Sequence, residues 1–584
     1  MSDISPAEQA SIEALEATRK CIDNNECFRL EAGAGAGKTY SLIESIKYLL
    51  VSRADELLKC EQQIACITYT NVAKDEIRSR TDNNPVIFAD TIHGFVWGLI
   101  SPHQEKLREL LPELNEKWSV RIEEYGATLE QKVKYDLGFP AINESEISLH
   151  HDDVIALMSK MLAYKKFQKL IKNRFPIIFI DEYQDTNKAL AESLLINLID
   201  NDSGVLIGLF GDHWQKIYGT SACGLITSTA DKIKEIGKKA NFRSDRNIVN
   251  CLNIMRPELP QFESDPDSQG VIKVLHTNSW IGSRQTGAHW NGDLPVELSK
   301  TYIDKARNLM ESDGWDFSSD KTKVLLLTNN LIAEEQNFKA LADCFRYTDD
   351  YLKKSDKYIA YFLDVLEPTV SAFERKAYGD LFVAAKKSFP RLSCQGDKKV
   401  WSESYQGLLA IRNEGTIADV LKYVSDSKVL RLSEKVERTE KKYINLVSKP
   451  ESERDGDEAI FVRKIGKLRN TQYSEIINLG SFIDDKTPFS TKHGVKGAQF
   501  DNVLVVLGRG WNHYNWNQMF EWFMRGVPSG RQDTYERNRN LFYVSCSRAK
   551  HNLTLLFTQE LSEDSLLSIE GIFGKENLLD LING

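Results

Sequence analysis

Between an apolar stretch at Phe28 to Leu30 and an amphipathic one at Ser41 to Leu50 the chain reads Ala32-Gly33-Ala34-Gly35-Ala36-Gly37-Lys38-Thr39. No other run constrains the fold as tightly. An apolar strand that turns through alternating glycines into a helix opening on Lys-Thr is the phosphate-binding P-loop pattern, with Ala32 in its first glycine place. Glycines let backbone N–H groups turn toward phosphate, Lys38 sets a cation against the β and γ groups, and Thr39 offers a hydroxyl to Mg2+.

A second element completes the chemistry. In Pro176 to Asp185, PIIFIDEYQD, four consecutive large apolar residues predict a buried parallel strand that ends in two acids. Asp181 is placed to hold Mg2+, and Glu182 to take a proton from an attacking water. The long separation of Lys38 from Asp181 exceeds what a minimal nucleotide-binding sheet needs. Something is inserted, and the stretch from about Gly98 to Lys172 is mostly helical in pattern with no phosphate chemistry of its own.

Composition narrows the class. At 584 residues and 41% hydrophobic the chain can bury several cores, on a soft count of one domain per ~150 residues. Lys and Arg total 75 against 84 Asp and Glu, a net charge of −9, so nucleic acid must be held by a local groove rather than by overall charge. No apolar run reaches the ~18 residues of a membrane span, and MSDISPAEQ lacks the features of a signal peptide. A cytoplasmic protein with no membrane partner is expected. The nine cysteines never occur as C-x-x-C and read as reduced thiols rather than a metal site.

Together these segments resemble the UvrD/Rep/PcrA-like group of superfamily 1 DNA helicases, and the resemblance runs in order along nearly the whole chain. Ile67 to Arg80 (ITYTNVAKDEIRSR) is similar to motif Ia, Ala89 to Phe95 (ADTIHGF) to the T-x-H segment, and DEYQD to motif II. Gly211 to Gly219 (GDHWQKIYG) resembles motif III and Asn241 to Ser244 (NFRS) motif IV. Ser490 to Val506 resembles motif V, and Asn540 to Lys550 (NLFYVSCSRAK) motif VI.

The resemblance implies an α/β fold of two RecA-like P-loop lobes with parallel sheets, each lobe carrying a mostly helical inserted subdomain. The first lobe is expected at 1–97 and 156–244 around an insertion at 98–155. The second is expected at 245–345 and 486–584 around an accessory insertion at 346–485. Within the latter, SEKVERTEKKY and KPESERDGDEA read as a solvated helix face and a linker.

The resemblance further implies ATP and Mg2+ in a cleft between the lobes and single-stranded or tailed DNA across their top. The nucleotide would be contacted by Gln9, Ala32, Gly33, Ala34, Gly35, Ala36, Gly37, Lys38, Thr39, Tyr40, Phe242 and Gln499, with Gln9 reading adenine and Phe242 stacking on it. Thr39 and Asp181 would hold the metal. Asp212 and Gln215 would report the γ-phosphate, while Arg243 and Arg548 would reach it from the second lobe and complement its developing charge. Thr70, Asn71, Thr91, His93, Phe95, Tyr218, Thr491 and His493 would lie along DNA, with Lys496 near it or the lobe interface. Hydroxyls and amides of this kind hold phosphates without reading bases.

The sequence departs from the family in three places. Thr220 and Ser221 follow Tyr218 where an aromatic and an arginine are usual, Ile92 stands where a stacking phenylalanine is common, and Gln499 replaces a Glu near the sugar. Phe95 or Trp214 is the expected substitute platform. Stacking is worth about 1–3 kcal/mol per base, so weak unwinding relative to ATP hydrolysis is expected.

Residues 549–584 carry no metal-carboxylate cluster, so no nuclease is expected on this chain. Compact accessory regions, EAGAGAGKT and YVSCSRAK also resemble compact UvrD-like proteins paired with an OLD-family nuclease, among them the helicase-like subunits of Gabija anti-phage defence. The reading is an ATP-driven motor on single-stranded DNA, moving 3′ to 5′ as its family implies. An ATP-hydrolysing sensor or regulatory subunit of a nuclease complex and a solitary repair helicase remain open beside it.

Overall fold

Five-residue runs with every position buried, such as Phe28–Ala32 and Ile177–Asp181, can sit only where both faces of a sheet are covered. The computed structural model describes residues 4–126, 128–135, 140–217, 221–228, 230–287, 290–326, 329–385, 388, 394–491, 497–509 and 514–582. Its first sheet takes β1 (Phe28–Ala32), β2 (Ile64–Thr68) and β3 (Ile87–Thr91) from before the insertion. The insertion supplies β4 (Lys132–Tyr135), β5 (Ala141–Ile142) and β6 (Glu146–Leu149) as a separate three-stranded sheet. The first sheet then resumes with β7 (Ile177–Asp181), β8 (Leu206–Gly211) and β9 (Lys234–Lys238). Its order is β3-β2-β7-β8-β1-β9, parallel throughout. Phe28, Phe179 and Phe210 lock three central strands edge to face, with centroids 5.3 to 6.1 Å apart.

Parallel strands put all their carboxyl ends on one edge, where the loops that carry function emerge. Helix α1 (Pro6–Asp23) precedes β1, while α2 (Lys38–Lys59), α3 (Asn71–Arg80) and α4 (Ile92–Ile100) follow β1, β2 and β3. Their N-termini are set by sequence: Ser5 and Glu8 form a reciprocal capping box on α1, and Thr70 and Thr91 cap α3 and α4.

The insertion is mostly helical, as its pattern predicts, and carries in addition a small β layer that the pattern does not announce. Short alternating stretches bury Val133 from β4 and Ile147 and Leu149 from β6. They add a β layer beside the helices Glu116–Tyr125 and His151–Met161, where Trp118 Nε1 donates to Asp153 Oδ1 at 2.9 Å. Strands this short lack the length for the period-two signal to stand out.

A short parallel pair, β10 (Ala240–Asn241) with β11 (Phe262–Glu263), leads into the second sheet. That sheet comprises β12 (Val271–His276), β13 (Thr322–Leu326), β14 (Phe489–Ser490), β15 (Phe500–Leu507), β16 (Ala549–Phe557) and β17 (Leu578–Asp580). Its order is β14-β13-β15-β16-β12-β17, again parallel. Among the described residues the elements between β13 and β14 are all helical, and the helix Glu434–Ser448 buries Val436, Thr439, Glu440 and Leu446 while its charged face is exposed. Among the described residues no helix is long and apolar enough to cross a membrane.

Candidate nucleotide and DNA site

The loop after β1 turns at Gly35 and Gly37, whose φ angles of +76° and +74° lie in the region that favours glycine. A Cβ on Gly35 would also stand 2.7 Å from Asn241 Oδ1 and 2.8 Å from Arg243 Cβ, so the loop and the NFRS segment can touch only because the side chain is missing. Ala32, Ala34 and Ala36 are buried, and the Ala36 N–H donates to the Gly33 carbonyl at 3.2 Å. No side chain caps α2 at Gly37, which leaves its first N–H groups directed at whatever anion the loop cradles.

Lys38 and Glu182, both at the carboxyl edge of the first sheet, meet with Nζ to Oε1 at 3.1 Å. Glu182 holds a left-handed backbone conformation, φ +50°, at the end of β7. For a side-chain-bearing residue this conformation is strained and persists where the surroundings fix it. Asp181 is buried and its Oδ1 accepts the Glu182 N–H at 3.0 Å. Thr39 and Asp181, the two expected metal ligands, are thus chain neighbours of the two partners of that ion pair. Both offer oxygen, the donor Mg2+ takes.

A relay not anticipated from sequence joins motif II to motif III. The Gln184 amide donates to Glu182 Oε2 and accepts the Asp212 N–H at 3.0 Å. Fully buried Asp212 accepts from Gln215 Nε2 at 2.7 Å and from Arg256 Nη1 at 2.6 Å. Arg256 also pairs with Glu31 at 3.5 Å, which takes in Arg29 at 3.1 Å, His213 Nδ1 at 3.1 Å and the Tyr183 hydroxyl. Burial alone would raise the Glu31 carboxyl; His213, Tyr183 and Arg256 overcome it and hold the group below its ordinary value. Glu31, Asp212 and His213 lie close enough to share a cation, but the two guanidinium groups already occupy that role. Arg29 and Glu31 had a signal in the sequence, being charges inside an otherwise apolar strand. Arg256 had none.

Arg243 reaches into the second lobe: its Nε donates to Gln499 Oε1 at 3.2 Å and its Nη1 to the Ser547 carbonyl at 2.8 Å. Burial pushes its pKa down to about 10. Arg548 is fully buried and donates to the Val544 carbonyl at 2.9 Å, Ala498 carbonyl at 3.3 Å and Ser547 Oγ at 3.0 Å. Burial and then the charge of Arg243 hold it well below its ordinary value, with Glu182 pulling the other way. Two guanidiniums near enough to repel, with Glu182 and the already paired Asp212 as the carboxylates that act on Arg548, make a place suited to a polyanion. Asn540 Nδ2, on the helix Gln532–Cys546, donates to the carbonyls of His213 at 3.1 Å and Lys216 at 3.3 Å, tying motif VI to motif III.

On the base side, Phe242 is 43% and Tyr40 50% exposed, while the Phe242 N–H donates to the Gly35 carbonyl at 2.9 Å. Gln9 is exposed on α1 and donates to Glu13 Oε1 at 2.8 Å.

The expected DNA contacts separate into two groups. Thr70 and Asn71 are exposed and Thr91 half-buried, where neighbouring strands β2 and β3 end. His93 packs 4.8 Å from His151 and stacks 6.3 Å from Tyr135. Thr491 is half-buried just after β14. Tyr218, Thr220, His493 and Lys496 lie outside the described residues. Phe95 is a correction: at 3% exposure it packs between Phe88 and Phe175, centroids 6.2 and 5.4 Å away, so it is core and offers no face to a base. Trp214 is likewise buried, with the Arg539 guanidinium 3.7 Å over its ring and Tyr543 5.3 Å away. Position 95 falls on the inward face of α4, where an aromatic fills the space over β3.

Comparison with known proteins adds further similarities. A family model described as an AAA domain matches residues 15–221. The chain is 26% identical to "Gabija protein GajB" of Bacillus cereus over 97% of its own length and 98% of that protein. It is 28% identical to "ATP-dependent DNA helicase PcrA" of Staphylococcus epidermidis, over 38% of this chain and 37% of that one. A "Probable DNA helicase II homolog" of Mycoplasma genitalium is 23% identical over 70% of this chain and 58% of that protein.

Proposed function

Because the chain belongs to the UvrD/PcrA-like superfamily 1 helicases, we propose that it is an ATP-hydrolysing motor that moves 3′ to 5′ on single-stranded DNA. The observation that carries the reading is the Lys38–Glu182 pair at 3.1 Å, set beside Arg243 and Arg548, both of which bond to residues of the second lobe. The phosphates of ATP compete for Lys38 and release Glu182, whose carboxylate takes the proton of the attacking water. As the water oxygen bonds to the γ-phosphorus, the bond to the β–γ bridging oxygen breaks and ADP leaves with that electron pair. Mg2+, when bound at Thr39 and Asp181, neutralises phosphate charge. Arg243 and Arg548 complement what develops in the transition state, and they couple hydrolysis to the lobe interface because both are anchored there. Purified protein is expected to hydrolyse ATP faster with single-stranded DNA present. Displacement of streptavidin from the 5′ but not the 3′ end of an oligonucleotide tests the polarity, and the reverse result overturns it.

A second reading is favoured by the likeness to the Gabija protein, which extends over nearly the whole chain whereas PcrA matches little more than a third. In it the same cleft serves a cytoplasmic anti-phage complex as an ATP-hydrolysing sensor or regulatory subunit of an OLD-family nuclease. Co-expression with the adjacent gene product and size-exclusion chromatography decide between them. A stable complex that cuts DNA, with little unwinding by this chain alone, selects the second reading; robust unaided unwinding of a 3′-tailed duplex and no complex selects the first.

A further inference from the structure

A guanidinium rooted in the second lobe grips the motif III carboxylate of the first. Arg256 follows the helix Arg246–Met255, whose Ile248, Cys251, Leu252 and Met255 share a core with Val274 of β12, Val505 of β15 and Leu555 of β16. The helix is thereby fixed to the second sheet. From its end the Arg256 side chain, 2% exposed, extends to the first sheet. Its Nη1 donates to Asp212 Oδ1 at 2.6 Å, just after β8, and its Nη2 to Glu31 Oε2 at 3.5 Å, on β1 beside the P-loop. Its Cζ lies 5.5 Å from the centroid of the Trp214 ring and 6.0 Å from that of Tyr543. Burial works against its charge, but Asp212, Tyr543 and Glu31 outweigh burial and hold the guanidinium above its ordinary value.

The two carboxylates depend on Arg256 unequally. Glu31 also has Arg29 at 3.1 Å and His213 at 3.1 Å, whereas among the described residues the one cation paired with Asp212 is Arg256. The second oxygen of Asp212 accepts Gln215 Nε2 at 2.7 Å. The guanidinium therefore fixes the carboxylate that fixes the amide expected to report the γ-phosphate. Support of the fold alone does not call for this arrangement, since well-packed apolar residues often replace a buried ion pair at no cost in stability. What the charged pair adds is direction: a carboxylate gripped on one oxygen presents the other at a fixed angle. Resting on the nucleotide reading above, we propose that Arg256 is the positioning residue through which the second lobe aligns Gln215 for γ-phosphate transfer. Without it Asp212 is a buried carboxylate that has lost its ion pair, and it either turns away or takes up a proton. Both displace Gln215. Nucleotide binding is spared, because Lys38, Thr39 and the N–H groups of the loop keep their places.

The test is a double-mutant cycle on the full-length protein, with kcat and KM for ATP measured at saturating single-stranded DNA and folding checked by circular dichroism. Arg256→Met is expected to lower kcat about 10–100-fold, the cost of a misplaced group at a reacting centre, while KM for ATP changes less than about threefold. Gln215→Ala should lower kcat too. Adding Arg256→Met to Gln215→Ala should then cost less than about threefold more, because the amide that Arg256 aligns is already gone. A residue that only supports the fold would cost the same factor with and without Gln215, and that result overturns the proposal. So does a folded Arg256→Met protein with the parent kcat, or a loss confined to KM. Should Arg256→Met not fold, the double variant Asp212→Asn/Arg256→Met, which leaves no unpaired carboxylate at position 212, is compared with Asp212→Asn. Equal kcat supports the proposal, and a further fall of more than about threefold overturns it. Failure of the nucleotide reading itself shows separately, as parent hydrolysis that is absent or undiminished by Lys38→Ala, and takes the proposal with it.

Discussion

In the nucleotide cleft Asp181, Asp212, Gln215 and Arg548 are buried and fixed by side-chain hydrogen bonds. Where β2 and β3 end on the same sheet, Thr70 and Asn71 are exposed and Thr91 half-buried, and both threonines spend their oxygens as helix caps, accepting from Ala73 N at 3.2 Å and Gly94 N at 3.3 Å. On the proposed function, the contrast follows from what each region would do. Phosphoryl transfer gains from charges fixed in a dry site before the reaction, whereas a strand that slides must be held by contacts that form and break. A capping threonine suits a sliding strand, because its oxygen accepts from the helix while its hydroxyl proton can turn to a phosphate.

Breaking the cleft should have the largest effect. Glu182→Gln is expected to lower kcat by about 10²–10⁴-fold, the range for removing a positioned base, with ATP binding retained, since Asp181 and Thr39 remain and Lys38 loses a competitor. Steady-state hydrolysis beside a nucleotide titration measures both. Turnover at the parent rate would remove Glu182 from its role.

Phe95 sharpens the comparison from the other side. As a core residue between Phe88 and Phe175 it should cost about 3–5 kcal/mol of stability when changed to Ala, read as a shift of the denaturation midpoint. Single-strand affinity per folded molecule should be unchanged. Lower affinity with normal stability would return Phe95 to the DNA track.

These residues also show where sequence was enough. Lys38, Asp181 and Glu182 sit in short contiguous motifs whose local geometry is set by glycines, by a run of apolar residues and by strand ends, and these bring Lys38 to Glu182 at 3.1 Å. The Glu31–Arg256–Asp212 relay assembles residues from β1, from the loop after β8 and from beyond the helix Arg246–Met255, and nothing local to Arg256 announces it. Burial was the other blind spot: Phe95 and Trp214 have the right chemistry for stacking, and only tertiary packing reveals that their faces are covered. The β layer of the insertion is hidden in the sequence because four-residue strands carry too few positions to display their period.

Thr91→Val should cost about 1 kcal/mol through loss of the α4 cap and should weaken single-strand binding together with it, because cap and proposed phosphate contact share one hydroxyl. Thr91→Ser keeps that hydroxyl and should restore both. Restored stability without restored binding would show that the methyl group, not the hydroxyl, meets the strand.

The smallest effect expected is a pH dependence at His93. Burial holds this ring below its ordinary 6.5, His151 and His150 add to the depression, and Asp152 opposes it; Tyr135 stacks on it without charge. Since the folded value lies below the unfolded one, the unfolded chain takes up the proton first as pH falls. The stability that neutral His93 contributes is therefore complete above the unfolded value and is lost as pH falls from there through the folded value. Between about pH 7.5 and 5.5, a window around the ordinary histidine value, the parent should lose more stability than His93→Asn, whose amide does not titrate, while the carboxylates common to both proteins cancel in the difference. His151 shares the depression through burial and His150, so His151→Asn should flatten the profile in the same direction by removing its own titration. Parallel profiles for parent and His93→Asn would show that the ring is not held in a neutral-favouring site, and would count against the packing of His93 against Tyr135 and His151.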